Sequence, residues 1–171
     1  TAQPFIGSVD VAGHLLSNLT YTNSSATQDS VAALFGVVKT TFGFKNAALV
    51  NFNMTANVTL SQQPSDGRTG SGYAAVVVAS NAHGATAPTA LTLSNITIVN
   101  STVQTNSVYM AFAGALFGWM DTQTNGNLNV IENITLQGTT ITAPGYTSTK
   151  VGSSNTDLPV YNFVNMSKAG G

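Results

Sequence analysis

The chain has 171 residues, a net charge of −1 and no cysteine, with five basic and six acidic side chains. A charged fraction of 6% lies far below the roughly one quarter usual in globular domains. Binding of nucleic acid or anionic lipid through a basic face is thereby excluded, as are disulfides, thiolate catalysis and cysteine-based zinc sites.

A hydrophobic content of 43% is enough for one packed domain, and the surface is left to Ser, Thr, Asn, Gln and Gly. Such a surface cannot rely on charge for solubility. It predicts a secreted or cell-surface protein, kept in solution by carbohydrate or by packing into a polymer. The longest apolar run, Val108–Met120, is too short to span a bilayer. A start at Thr1 with no signal-like pattern reads as a mature product or a fragment.

In chain order, Pro4–Val11 is a first apolar run, Leu15–Thr22 an alternating strand and Asn23–Ser30 a polar loop. From Val31 the sequence reads V-A-A-L-F-G-V-V, then a gap with Phe42 and Phe44 around Gly43, then the alternating strand Leu49–Leu60. Ser61–Gly72 carries Pro64 and Asp66-Gly67 turn chemistry. The same order of run, gap and strand recurs at Tyr73–Val103 and again at Val108–Thr142. Ala143–Thr156 is a second long loop, and Val160–Met166 opens a further unit.

The tetrapeptide A-L-F-G stands at Ala33–Gly36 and at Ala115–Gly118, an offset of 82 residues, or two periods of about 41. Periods of this size mark repeat architectures, in which each unit buries its apolar face only against its neighbours. The units read as residues 4–30, 31–72, 73–107 and 108–156, with a partial unit at 157–171, in a single domain. β-branched residues fill the alternating runs, so strand is expected over helix, and the A-L-F-G runs are expected as buried strands.

The predicted fold is all-β: a β-solenoid of about 40-residue repeats, each making two rungs. Leu34, Phe52, Met54, Val76, Ile96, Ile98, Leu116, Ile134 and Leu136 should point inward. The alternative is a Greek-key β-sandwich of pilin type, polymerising by donating Thr1–Val11 or Val160–Met166 to the next subunit.

Eight Asn-x-Ser/Thr sequons stand out, at Asn18, Asn23, Asn53, Asn57, Asn95, Asn100, Asn133 and Asn165. Residues i and i+2 of a strand share a face. The apolar middle residue in six of the eight therefore packs inward, and the Asn and its hydroxyl partner face solvent. The pattern predicts N-glycosylation. It also fits stacked asparagine ladders, with Asn and Thr serving only as the surface material.

The charges assemble no site. Asp10, Asp29, Asp66, Asp121, Glu132 and Asp157 are scattered and show no calcium-loop spacing. Asp66-Gly67-Arg68 is expected to be a polar turn, although it is the one place where a carbohydrate-active enzyme could find an acid and a base together. His14 and His83 have no acidic partner nearby in sequence, and no serine has a G-x-S-x-G context. Trp119 and Met120 close an apolar run and should pack rather than bind sugar. No catalytic residue, metal ligand or cofactor site is expected.

The run A-G-A-L-F-G at Ala113–Gly118, followed by N-I-T-L-Q-G-T-T-I-T at Asn133–Thr142, resembles the GLUG-motif repeats of large surface and adhesin-like proteins. The second and third copies depart from it, since Val31-Ala32-Ala33 lacks the leading glycines and Tyr73–Ser80 has none. The resemblance implies a β-solenoid with an extracellular structural or adhesive role and no catalytic residues. The expected function is a glycosylated building block of a filament or layer, in contact end to end with another copy or with the rest of a longer surface protein.

Overall fold

A computed structural model describes residues 4–59, 70–80, 90–107, 111–120, 129–143 and 162–165. The described residues form strands joined by turns, with no helix among them. All strand pairing is parallel.

The chain makes four passes around a common core. The first pass contains β1 (Phe5–Asp10), β2 (Leu15–Ser17), β3 (Thr20–Ser25) and β4 (Ser30–Ala32). The second contains β5 (Phe35–Val50), β6 (Asn53–Val58) and β7 (Gly72–Ala75), and the third β8 (Val78–Ser80), β9 (Ala90–Val99), β10 (Thr102–Asn106) and β11 (Ala111–Gly114). The fourth contains β12 (Phe117–Trp119), β13 (Asn129–Gln137), β14 (Thr140–Thr142) and β15 (Asn162–Asn165).

Equivalent strands of successive passes stack into three sheets. The largest joins β1 and β2 to β5, then β9 and β13, with β8 and β12 continuing from the start of β5. The others run β3-β6-β10-β14 and β4-β7-β11-β15.

The repeat length expected from A-L-F-G corresponds to a register. Phe35 pairs with Val78, and Val78 with Phe117, so the two phenylalanines occupy one column. The motif is a corner: Leu34, Val77 and Leu116 sit at equivalent bends, where Phe35 N–H donates to Val77 O and Val78 N–H to Leu116 O. Only its Phe and Gly enter a strand.

Two fold expectations are corrected. The chain is not a β-solenoid of two-rung repeats, because each stretch of about 40 residues contributes its strands to the three sheets once, and the sheets curl as a half-barrel. The Greek-key sandwich fails as well, because it requires antiparallel pairing and every ladder here is parallel. The all-β class stands.

Alternation along each strand builds the core, since successive side chains point to opposite faces. Phe42, Phe44, Ala47 and Leu49 of β5 stack under Leu91, Leu93, Ile96 and Ile98 of β9, and all are buried. In the second sheet Met54 pairs with Val103, and in the third a column of Ala32, Ala74 and Ala113 leaves room for them. Of the residues expected inside, Phe52, Met54, Val76, Ile96, Ile98 and Leu116 are buried, while Leu34, Ile134 and Leu136 pack half-buried against the same core. A smaller cluster holds Tyr73 stacked on Phe112 at 5.1 Å, with Trp119 at 4.5 Å from Phe112.

Candidate functional site: asparagine ladders and open strand edges

Each long strand of the largest sheet is interrupted by one residue in the left-handed region. Asn46, Asn95 and Asn133 have φ of 56°, 55° and 54°. Asparagine tolerates this conformation better than most residues, which explains its choice there. The three side chains then stack. Asn133 Nδ2 donates to Asn95 Oδ1 at 2.9 Å, Asn95 Nδ2 to Asn46 Oδ1 at 2.9 Å, and Asn46 Nδ2 to Asp10 Oδ1 at 2.9 Å.

The ladder has a direction, every amide donating toward the first pass. It ends there on a carboxylate, which has no hydrogen to pass on. Asp10 Oδ1 also accepts from Ala12 N–H at 2.8 Å, and Oδ2 lies 3.3 Å from Lys45 Nζ. Asn46 first, and then Ala12 N–H, hold the Asp10 carboxyl below its ordinary pKa.

A second column marks the corner between the first and second sheets. Asn18, Asn51, Asn100 and Gly138 all have φ between 49° and 59°. Asn51 Nδ2 donates to Asn18 Oδ1 at 3.1 Å. At the fourth position a Cβ would lie 2.5 Å from Asn100 Oδ1, so a side chain there would have to push the Asn100 amide aside. A third, shorter column runs from Asn106 Nδ2 to Asn57 Oδ1 at 2.8 Å and on from Asn57 Nδ2 to Ser24 Oγ at 3.4 Å.

The sequons therefore divide. Asn95, Asn133, Asn18, Asn100 and Asn57 belong to these columns. Asn23 donates its Nδ2 to Val31 O at 3.1 Å and is half-buried. Asn53 is exposed on the outer face of the second sheet, in register with Thr20 and Thr102. The backbone of Asn165 belongs to β15. Asn46 and Asn51 are ladder members outside any sequon, and sequence reasoning missed them. The signal was their spacing to the sequon asparagines, 49 residues in each case (Asn46 to Asn95, Asn51 to Asn100).

The outer face of the second sheet carries no charge in β3, β6, β10 or β14. Charge on the described chain is sparse elsewhere too. His14 is exposed, and Asp29 Oδ1 accepts from Gly70 and Ser71 N–H at 2.8 Å each, tying one corner to the next pass. Trp119 and Met120 are half-buried in packing contacts, as expected. Asp66, Arg68, His83, Asp121 and Asp157 lie outside the described residues. Among the described residues no three His, Asp or Glu side chains gather as a metal site.

The two ends of the stack differ. At the first pass β1, β2 and β3 pair on one side only, with β5 and β6, among the described residues. Among the described residues, the five exposed large apolar side chains all lie there: Phe5, Ile6, Leu15, Leu19 and Tyr21. Tyr21 continues the interior column of Met54 and Val103. At the fourth pass Ile131, Ile134, Leu136 and Ile141 are only half-buried. No protein-family model, curated protein or solved structure matches the chain.

Proposed function

We propose that the protein is an extracellular structural or adhesive building block, glycosylated, that carries out no catalysis and acts by contact with further copies or with the rest of a longer surface protein. The observation that carries this reading is the first-pass end, where, among the described residues, strand edges paired on one side only coincide with the exposed large apolar side chains. An open edge with apolar neighbours is a template for another strand, and nothing in β2 or β3 blunts it with charge. The scarcity of charge, the asparagine ladders and the resemblance to GLUG-motif repeats support a surface role. Asn53 is the sequon best disposed to carry a glycan, because its side chain is exposed and belongs to no ladder.

The test is sedimentation of the chain, secreted from a glycosylating host, across a wide concentration range. Reversible association is the expected result. A monomer at every concentration up to the solubility limit overturns the reading.

A further inference from the structure

We propose that the outer face of the second sheet, β3-β6-β10-β14, binds the surface of ice. This goes beyond the building-block reading and does not depend on it.

The four strands pair in parallel without a shift of register, so their outward residues form a grid. Thr20, Asn53, Thr102 and Thr140 make one row across the sheet. The next row, two residues along each strand, runs from Thr22 through Thr55 and Gln104 to Thr142. The grid repeats at about 6.6 Å along the strands and about 4.8 Å between them. Both intervals lie close to the oxygen repeats on the faces of hexagonal ice. A threonine hydroxyl donates and accepts as water does, so an array of them can occupy positions of the outermost ice layer. Thr20, Thr22, Thr102, Thr140 and Thr142 are exposed, and among the described residues their hydroxyls have no protein partner.

Two columns frame the grid: Asn51 bonded to Asn18 at the corner before it, and Asn106–Asn57–Ser24 at its far side. Side-chain ladders of this kind restrain the twist between strands, which contact with a rigid solid requires. The outward positions carry no charge, and a charged group would hold its own water shell against the lattice. They also carry no aromatic ring on which a sugar could stack, and no large apolar side chain for a protein partner to bury.

The test measures the gap between the melting and freezing temperatures of a seeded ice crystal in a solution of the chain made without glycans. A gap that grows with protein concentration, on faceted crystals, is the expected result. Thr102→Tyr within the grid and Thr140→Tyr on its outer strand should each lose the gap with an unchanged melting temperature of the protein. Thr135→Tyr, exposed on β13 of the largest sheet, should keep it. A glycan on Asn53 would stand within the first row and cover the grid, so the chain carrying one should show no gap. Absence of any gap from the glycan-free chain overturns the proposal, as does a gap that survives both grid variants or the Asn53 glycan. Equal loss in Thr135→Tyr overturns its assignment to this face. Retention on cellulose or chitin with no effect on ice gives the face to a polysaccharide instead, and overturns it too. None of these results touches the building-block reading, which sedimentation decides.

Discussion

At the scale of the residue, Asn95 has two tasks that substitution can separate. Its backbone must hold φ 55°, and its side chain must accept from Asn133 and donate to Asn46. Alanine fails at both. The left-handed conformation costs a residue with Cβ about 1–2 kcal/mol, and each exposed hydrogen bond contributes at most about 1 kcal/mol. Asn95→Ala should lower stability by about 2 kcal/mol, read as a shift in the urea midpoint. Asn95→Gly restores the backbone freedom and should cost about half as much. Equal losses in the two variants would show that the ladder amide alone matters. The paired reading of the sequons came from treating Asn-x-Thr as a strand pattern, and that much was legible in part: the middle residues Met54, Val58 and Ile96 are buried and Ile134 half-buried, but Leu19 is exposed, and Met166 lies outside the described residues. The left-handed backbone of the asparagines was not legible, because the sequence shows alternation on both sides of the bend and no glycine between.

At the scale of the element, the two copies of A-L-F-G look identical in sequence and differ in what they require. A Cβ on Gly118 would lie 2.7 Å from Ala79 O and 3.1 Å from Ala74 O, both backbone atoms that cannot swing aside. A Cβ on Gly36 would meet only Val31 Cγ1, at 3.4 Å. Gly118→Ala should therefore cost roughly 1–3 kcal/mol through overpacking, whereas Gly36→Ala should stay within about 0.5 kcal/mol of wild type. Thermal melts of the two variants check this, and equal melting temperatures would refute it. The difference follows from position in the stack, since β12 crosses close above β7 and β8 while β5 begins beside the first pass. The same limit explains the error over rungs. Leu49–Leu60 alternates without interruption, so it reads as one strand, yet Asn51 turns a corner within it and splits it between two sheets. A period can be read from recurrence alone, but the number of sheets crossed in one period depends on where the corners fall. Here the corner between the first and second sheets is made by Asn18, Asn51 and Asn100, which look like surface residues.

At the scale of the whole molecule, stability should follow position in the stack rather than strand length. In a stacked repeat each pass is held mainly by its immediate neighbours, so an end pass lacks half of its support. β6 and β9 are paired on both sides, by β3 and β10 and by β5 and β13. Their inward residues Met54, Ala56, Leu91, Leu93, Ile96 and Ile98 are all fully buried. β2 and β3 are paired on one side among the described residues, and Leu15, Leu19 and Tyr21 around them are exposed. Local opening of the first pass therefore gives up one ladder and little buried area, whereas opening the middle passes dismantles the core. Native-state hydrogen exchange at high dilution should show amides of β6 and β9 exchanging only through global unfolding. Amides of β2 and β3 should exchange on the order of 100-fold faster through local opening. If the first pass were instead held as firmly as the middle, its protection would match theirs.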